Sequence, residues 1–114
     1  MKQTGKLDYL EMSATKSTLD STKAFYSAAF EWSFTDYGPT YAAFDEGLEG
    51  GLQADSTEAP SAPLPVLYSE ELEATLASVE SAGGKIVRPI FSFPGGRRFH
   101  FVDPAGNELA GWGQ

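Results

Sequence analysis

The run Leu7-Asp8-Tyr9-Leu10-Glu11-Met12-Ser13 mixes apolar and polar side chains over a short stretch bounded by polar turns, which predicts a first strand. Residues two apart on a strand share a face, so Tyr9 and Glu11 point the same way. Ser17 precedes Asp20 by the capping-box spacing, and the apolar positions Leu19, Phe25, Tyr26, Ala29 and Phe30 then predict a helix over Leu19–Phe30. Three aromatic-rich pieces follow, at 32–37, 41–45 and 50–53, separated by the turn formers Gly38-Pro39 and Gly47. They predict an antiparallel meander.

The stretch ADSTEAPSAP at 54–63 has no apolar periodicity and reads as a connector. After it the pattern starts again. Leu64-Pro65-Val66-Leu67-Tyr68 predicts a strand, Ser69 with Glu70 and Glu71 the start of a helix, and Leu72, Leu76 and Val79 its buried face. Gly83-Gly84 supplies a left-handed helix stop, and strands are expected at 85–93, 97–102 and 108–112. Asp103-Pro104-Ala105-Gly106-Asn107 and Pro94-Gly95-Gly96 read as tight turns, not as a calcium loop or a phosphate cradle.

Each half therefore reads strand, helix, strand, strand, strand, with module one at about 5–54, a linker at about 55–63 and module two at about 64–114. A single helix leaves much of such a sheet's apolar face uncovered, so two modules in one domain of 114 residues are the expected solution. The predicted fold is α+β, with a curved eight-stranded mixed sheet.

Composition narrows the function. A net charge of −8 opposes binding to nucleic acid or to an anionic membrane surface, both of which need clustered Lys and Arg. The absence of cysteine removes disulfides, thiolate metal sites and thiol nucleophiles. No apolar run reaches the roughly 20 residues that span a bilayer, and no apolar signal region follows the first residues, so a cytoplasmic protein is expected.

Two groups of residues carry a family resemblance: Lys23-Ala24-Phe25-Tyr26 with Phe30-Glu31-Trp32, and Ala82-Gly83-Gly84-Lys85-Ile86-Val87 with the segment from Phe99 through Asp103-Pro104-Ala105-Gly106-Asn107-Glu108-Leu109. In this order they resemble the vicinal oxygen chelate superfamily, which includes glyoxalases, bleomycin-resistance proteins and dioxygenases. The resemblance implies paired βαβββ modules in a half-open barrel, with helices on the convex side and a ligand or metal on the concave one. Metal-using relatives hold a divalent ion with His, Glu or Gln on the first and last strands of each module. Carried over, those positions fall on Tyr9, about Gly51, Leu64 or Val66, and Ala110, none of which is a good ligand. The expectation is no metal and no cofactor.

What remains is a small organic ligand as partner, with Tyr9, Glu11, Trp32, Tyr41, Arg98, His100 and Trp112 as candidate ligand-binding residues. A buried Glu11 has the chemistry of a proton carrier, and His100, flanked by Phe99 and Phe101, is expected to face with Arg98 away from the helices as a candidate base. Arg88, Arg97 and Arg98 could meet an anionic ligand or serve as ordinary surface ion pairs. The leading reading is a small-molecule binding protein of the glyoxalase/bleomycin-resistance type. The alternative is a metal-assisted lyase, isomerase or dioxygenase that recruits an ion through Glu11, Glu108 or His100. A third reading is a pairing module that forms a homodimer through a sheet edge.

Overall fold

The computed structural model describes residues 2–114. Its elements are β1 (Leu7–Ser13), α1 (Leu19–Phe30), β2 (Thr35–Asp36), β3 (Tyr41–Asp45), β4 (Glu49–Gln53), β5 (Leu64–Tyr68), α2 (Leu72–Ser81), β6 (Lys85–Phe93), β7 (Gly96–Val102) and β8 (Glu108–Gly113). The strand, helix, three-strand succession thus occurs twice. The strands hydrogen-bond in the order β2-β3-β4-β1-β5-β8-β7-β6, an open mixed sheet of eight strands in an α+β fold. Each repeat uses the same pairing: its first strand runs parallel to its last, and its last three strands are antiparallel.

By contact density the chain divides into Tyr9–Leu64 and a second unit made of 2–8 with Pro65–Gln114. The chain passes from the second unit into the first within β1. The leading segment is tied to β5 by Gly5 N–H to Tyr68 O (2.8 Å) and Tyr68 N–H to Lys6 O (3.0 Å).

In Tyr9–Leu64, alternation along the strands puts Met12, Ala42 and Leu52 on the face where Leu19 of α1 is buried, with Ala14, Phe34 and Ala54 completing the core. The expected capping box does not form. Thr18 is the N-cap and makes no side-chain cap bond; its Oγ1 accepts instead from Thr15 N–H at 2.9 Å. The strand expected at 32–37 shrinks to Thr35–Asp36. Trp32 stacks on Tyr26, with ring centroids 4.7 Å apart, and Ser33 N–H bonds to Glu46 Oε2. Both interactions draw this backbone away from a ladder. Within the expected linker, Asp55 organises a turn by accepting from the backbone N–H and the hydroxyl of Thr57.

In the second unit α2 packs on β6, β7 and β8. Its core is Leu72, Phe99 and Phe101, with Leu67, Leu76, Val79, Ile86, Ile90 and Leu109 around them. Ser69 does not cap α2 directly, since the N-cap is Glu71. The buried Ser69 hydroxyl accepts from Glu71 N–H (3.1 Å) and shares a hydrogen bond with Thr75 (2.7 Å). The helix stops as its sequence requires: Gly83 takes φ +101°, its N–H bonds to Glu80 O, and Gly84 N–H bonds to Val79 O. This is the paired Schellman closure. Among the described residues no helix is long and apolar enough to cross a membrane.

Candidate functional site

The register of β6, β7, β8 and β5 brings side chains into rows across the face opposite α2. Phe99 and Phe101 point toward α2, so the alternate residues Arg98 and His100 point away from it, as their flanking aromatics predicted. One row runs Arg88, His100, Ala110, Val66, and the next runs Phe91, Arg98, Trp112, Tyr68. The face therefore presents two guanidiniums, one imidazole and several rings within a few residues.

His100 is 7% exposed. Its Nδ1 lies 2.9 Å from Glu108 Oε2, a partner placed diagonally on β8. Burial holds the imidazole pKa below its ordinary value; Glu108 pulls upward, and the charges of Arg98 and Arg88 push down again. The ring is thus neutral near pH 7, and its contact with Glu108 is a hydrogen bond more than an ion pair. A carboxylate only accepts hydrogen bonds, so Nδ1 carries the proton and Nε2 presents a lone pair. That Nε2 is buried and has no hydrogen-bond partner among the described residues.

The rings beside His100 make stacking contacts. The Phe91 centroid is 5.9 Å from the imidazole, the Arg88 guanidinium lies 3.6 Å over Phe91, and Arg98 lies 5.4 Å from the same ring. Trp112 Nε1 donates to Asp8 at 3.1 Å, which Lys2 also engages at 2.7 Å, and Tyr68 meets Trp112 edge-on at 5.3 Å. Arg97, adjacent in sequence, turns the other way and pairs with Glu73 at 2.5 Å.

In Tyr9–Leu64 a second polar face forms opposite α1. Glu11, 4% exposed, sits across from Gly51. The Tyr41 ring passes over Gly51, and its hydroxyl pairs with the Tyr9 hydroxyl. The structure therefore brings Tyr9, Glu11 and Tyr41 together on one face and Arg98, His100 and Trp112 together on another. Trp32 joins neither group; it lies in the α1-side aromatic cluster with Tyr26 and Phe44.

Tyr68 escaped the sequence reading, having no signal beyond being aromatic. Arg88 was named there only as a possible partner of an anionic ligand; it reaches His100 through the irregular pairing between Ile86 and Phe91, which no spacing rule supplies. The alternation through Arg98, His100 and Ala110 was the available signal.

The residues present do not fit the divalent ion that the resemblance implied. The carried-over positions are Tyr9, Gly51, Leu64 or Val66, and Ala110, and the Tyr41 ring occupies the space beside Gly51. Among the described residues no three His, Asp or Glu side chains converge as an ion would require.

The paired βαβββ repeats and their parallel first-to-last pairing define an α+β protein of the glyoxalase-like class. Residues 6–110 match the model of the Glyoxalase/Bleomycin resistance protein/Dioxygenase superfamily, and the chain belongs to that superfamily. No curated protein is similar enough in sequence to match. Among solved structures, a protein from Legionella pneumophila described as an NAD-dependent benzaldehyde dehydrogenase superposes with a TM-score of 0.74 at 16% identity, covering 91% of this chain and 96% of that one. Methylmalonyl-CoA epimerase from Mycobacterium tuberculosis gives 0.68 at 13% identity, covering 98% and 89%. The Mn(II)-bound glyoxalase from Novosphingobium aromaticivorans gives 0.66 at 21% identity, with 98% of this chain spanning 40% of that longer one. At these identities the likeness is one of fold.

Proposed function

We propose that the protein binds a small, flat organic molecule on the face formed by Arg88, Phe91, Arg98, His100 and Trp112. The observation that carries this reading is the buried His100 Nε2, which no side chain or backbone group among the described residues satisfies. A buried polar atom left without a partner costs on the order of 1–3 kcal/mol, and a ligand hydrogen bond would recover it. Phe91 and Trp112 flank the same ground with apolar surface, and two guanidiniums supply positive potential in a chain whose net charge is −8. Membership of the superfamily supports the reading, as does the poor donor set at the metal positions, which favours binding without an ion over a metal-assisted lyase, isomerase or dioxygenase.

Tryptophan fluorescence tests it. The chain has two tryptophans, so Trp32→Phe leaves Trp112 as the sole reporter. Titration of that variant with substituted benzenes is expected to give saturable changes with a dissociation constant below about 1 mM for at least one of them. A signal that stays flat through that range for every compound would sink the proposal.

A further inference from the structure

We infer that the molecule bound on this face carries an acidic hydroxyl, a phenol or an enol, whose proton is accepted by His100 Nε2 while its oxygen is held beside the guanidiniums of Arg88 and Arg98. The inference rests on the binding reading above and adds the chemical class of the ligand. Its ground is the hydrogen-bond direction at one buried atom. With Glu108 accepting from Nδ1–H of the neutral ring, the other ring nitrogen can only accept a hydrogen bond. A carboxylate arrives without a proton and would set lone pair against lone pair. A neutral aliphatic chain would leave Nε2 unsatisfied. A hydroxyl attached to a flat unsaturated carbon frame brings both the proton and a π-face for Phe91 and Trp112.

The charged groups acting on the imidazole come from all three strands around it: Arg88 on β6, Arg98 on β7 and Glu108 on β8. α2 covers the opposite face. When the hydroxyl proton moves, the O–H bond breaks, an Nε2–H bond forms, and the pair becomes an oxyanion beside an imidazolium. Glu108 stabilises the imidazolium through Nδ1–H, and the two guanidiniums face the oxyanion. No other reactant is needed. Glu108 acts here as a positioning residue: it fixes the tautomer that leaves Nε2 open and raises its basicity. Nε2 is buried, so the ligand reaches it by displacing a neighbouring side chain such as the part-exposed Phe91.

The probe is 4-nitrophenol, whose ionised form alone absorbs in the visible, with nitrobenzene as the counterpart that lacks the hydroxyl. At a pH below the free phenol's own pKa, mixing it with the protein is expected to generate the visible nitrophenolate band, and nitrobenzene is expected to bind about tenfold or more weakly. His100→Gln should abolish the band. Because that buried substitution could unfold the chain, Glu108→Gln, at a part-exposed position, serves as the second variant; it should keep the fold by circular dichroism and weaken the band several-fold. Nitrophenol that binds without the band, nitrobenzene that binds as tightly, or a Glu108→Gln band of full strength overturns the hydroxyl inference and leaves the binding reading standing. No binding of either probe, nor of any other substituted benzene, overturns both.

Discussion

His100 Nδ1 and Glu108 Oε2 are 2.9 Å apart across neighbouring strands, the imidazole buried and the carboxylate nearly half exposed. The pair is asymmetric in its surroundings, and the asymmetry decides its chemistry. Water screens Glu108, while His100 is held by burial in its neutral form.

This gives a clean pH prediction, because His100 is the chain's one histidine. Its folded pKa is lowered, so above the unfolded imidazole value of about 6.5 both states are neutral and the group has no effect on stability. Below that value the unfolded chain takes up a proton that the folded chain resists, and stability falls until the folded pKa is passed. The single imidazole resonance followed by NMR should titrate below the ordinary value, and the melting temperature should drop between pH 7 and pH 5 in the parent more than in Glu108-intact variants lacking the imidazole, such as His100→Gln. A resonance titrating above the ordinary value would contradict this account.

Asp55, Glu73 and Asp103 add a separate acid limb. Hydrogen bonds from Thr57, Arg97 and Asn107 respectively hold their carboxyl pKa values below the usual range. The stability they contribute is present above the unfolded carboxylate value near 4 and is lost as pH falls through their lowered folded values.

The neighbouring glycines Gly50 and Gly51 should respond very differently to alanine. A Cβ on Gly50 would meet the Leu10 carbonyl oxygen and the Phe44 ring, and backbone cannot swing aside. A Cβ on Gly51 would meet the outer end of Tyr41, a side chain that can. Gly50→Ala is expected to cost about 2–3 kcal/mol by denaturant unfolding, and Gly51→Ala roughly 1 kcal/mol or less, as overpacking costs depend on how far the site can relax. Gly51→Ala should also part the Tyr41 and Tyr9 hydroxyls, which tyrosine absorbance difference spectra would report. Equal costs at the two sites would show that the Tyr41 ring is as immovable as the backbone.

Arg97 and Arg98 are adjacent in sequence and opposite in placement. Arg97 pairs with Glu73 at the surface of α2, whereas Arg98 stands in the row with Phe91 and Trp112. Arg97→Ala should leave aromatic-ligand affinity unchanged, and Arg98→Ala should weaken it by about tenfold in the Trp32→Phe background. Loss of affinity in the Arg97 variant alone would reverse the assignment of faces.

The architecture was legible because it depends on local rules. The alternation of Phe99, His100 and Phe101, the Gly83-Gly84 stop and the 103–107 turn each act over a few residues, and each is found in place. Asp103 Oδ1 accepts from the N–H of Ala105 and Asn107, as an Asx-type turn requires. The superfamily was legible from those same segments. The two candidate faces were only half legible. Sequence spacing gave Tyr9 with Glu11 and Arg98 with His100, since those pairs lie on single strands. It could not supply register, and so it missed that the Tyr41 ring crosses Gly51 to reach Tyr9, or that an irregular stretch of β6 delivers Arg88 opposite His100. Trp32 stands apart from both groups for a related reason: its choice of Tyr26 over a strand position is a packing decision between rings, invisible to periodicity.

The α2-side core offers the last prediction. Phe99 is fully buried, and the absence of a side chain at Gly111, its β8 partner, leaves room for the ring, since a Cβ there would approach Phe99 to 2.9 Å. Leu72 and Phe101 close around the same space. Phe99→Ala is therefore expected to cost about 3–5 kcal/mol, a large share of the roughly 5–15 kcal/mol that keeps a domain folded. Gly111→Ala presses on the same ring from the other side and should cost about 1–3 kcal/mol. Combined, the two should cost less than their sum, because the alanine methyl fills part of the space that Phe99 vacates, and contacting sites couple in this way. Urea unfolding of the two single variants and the double variant measures the coupling. Strict additivity would mean that Phe99 and Gly111 do not share that space.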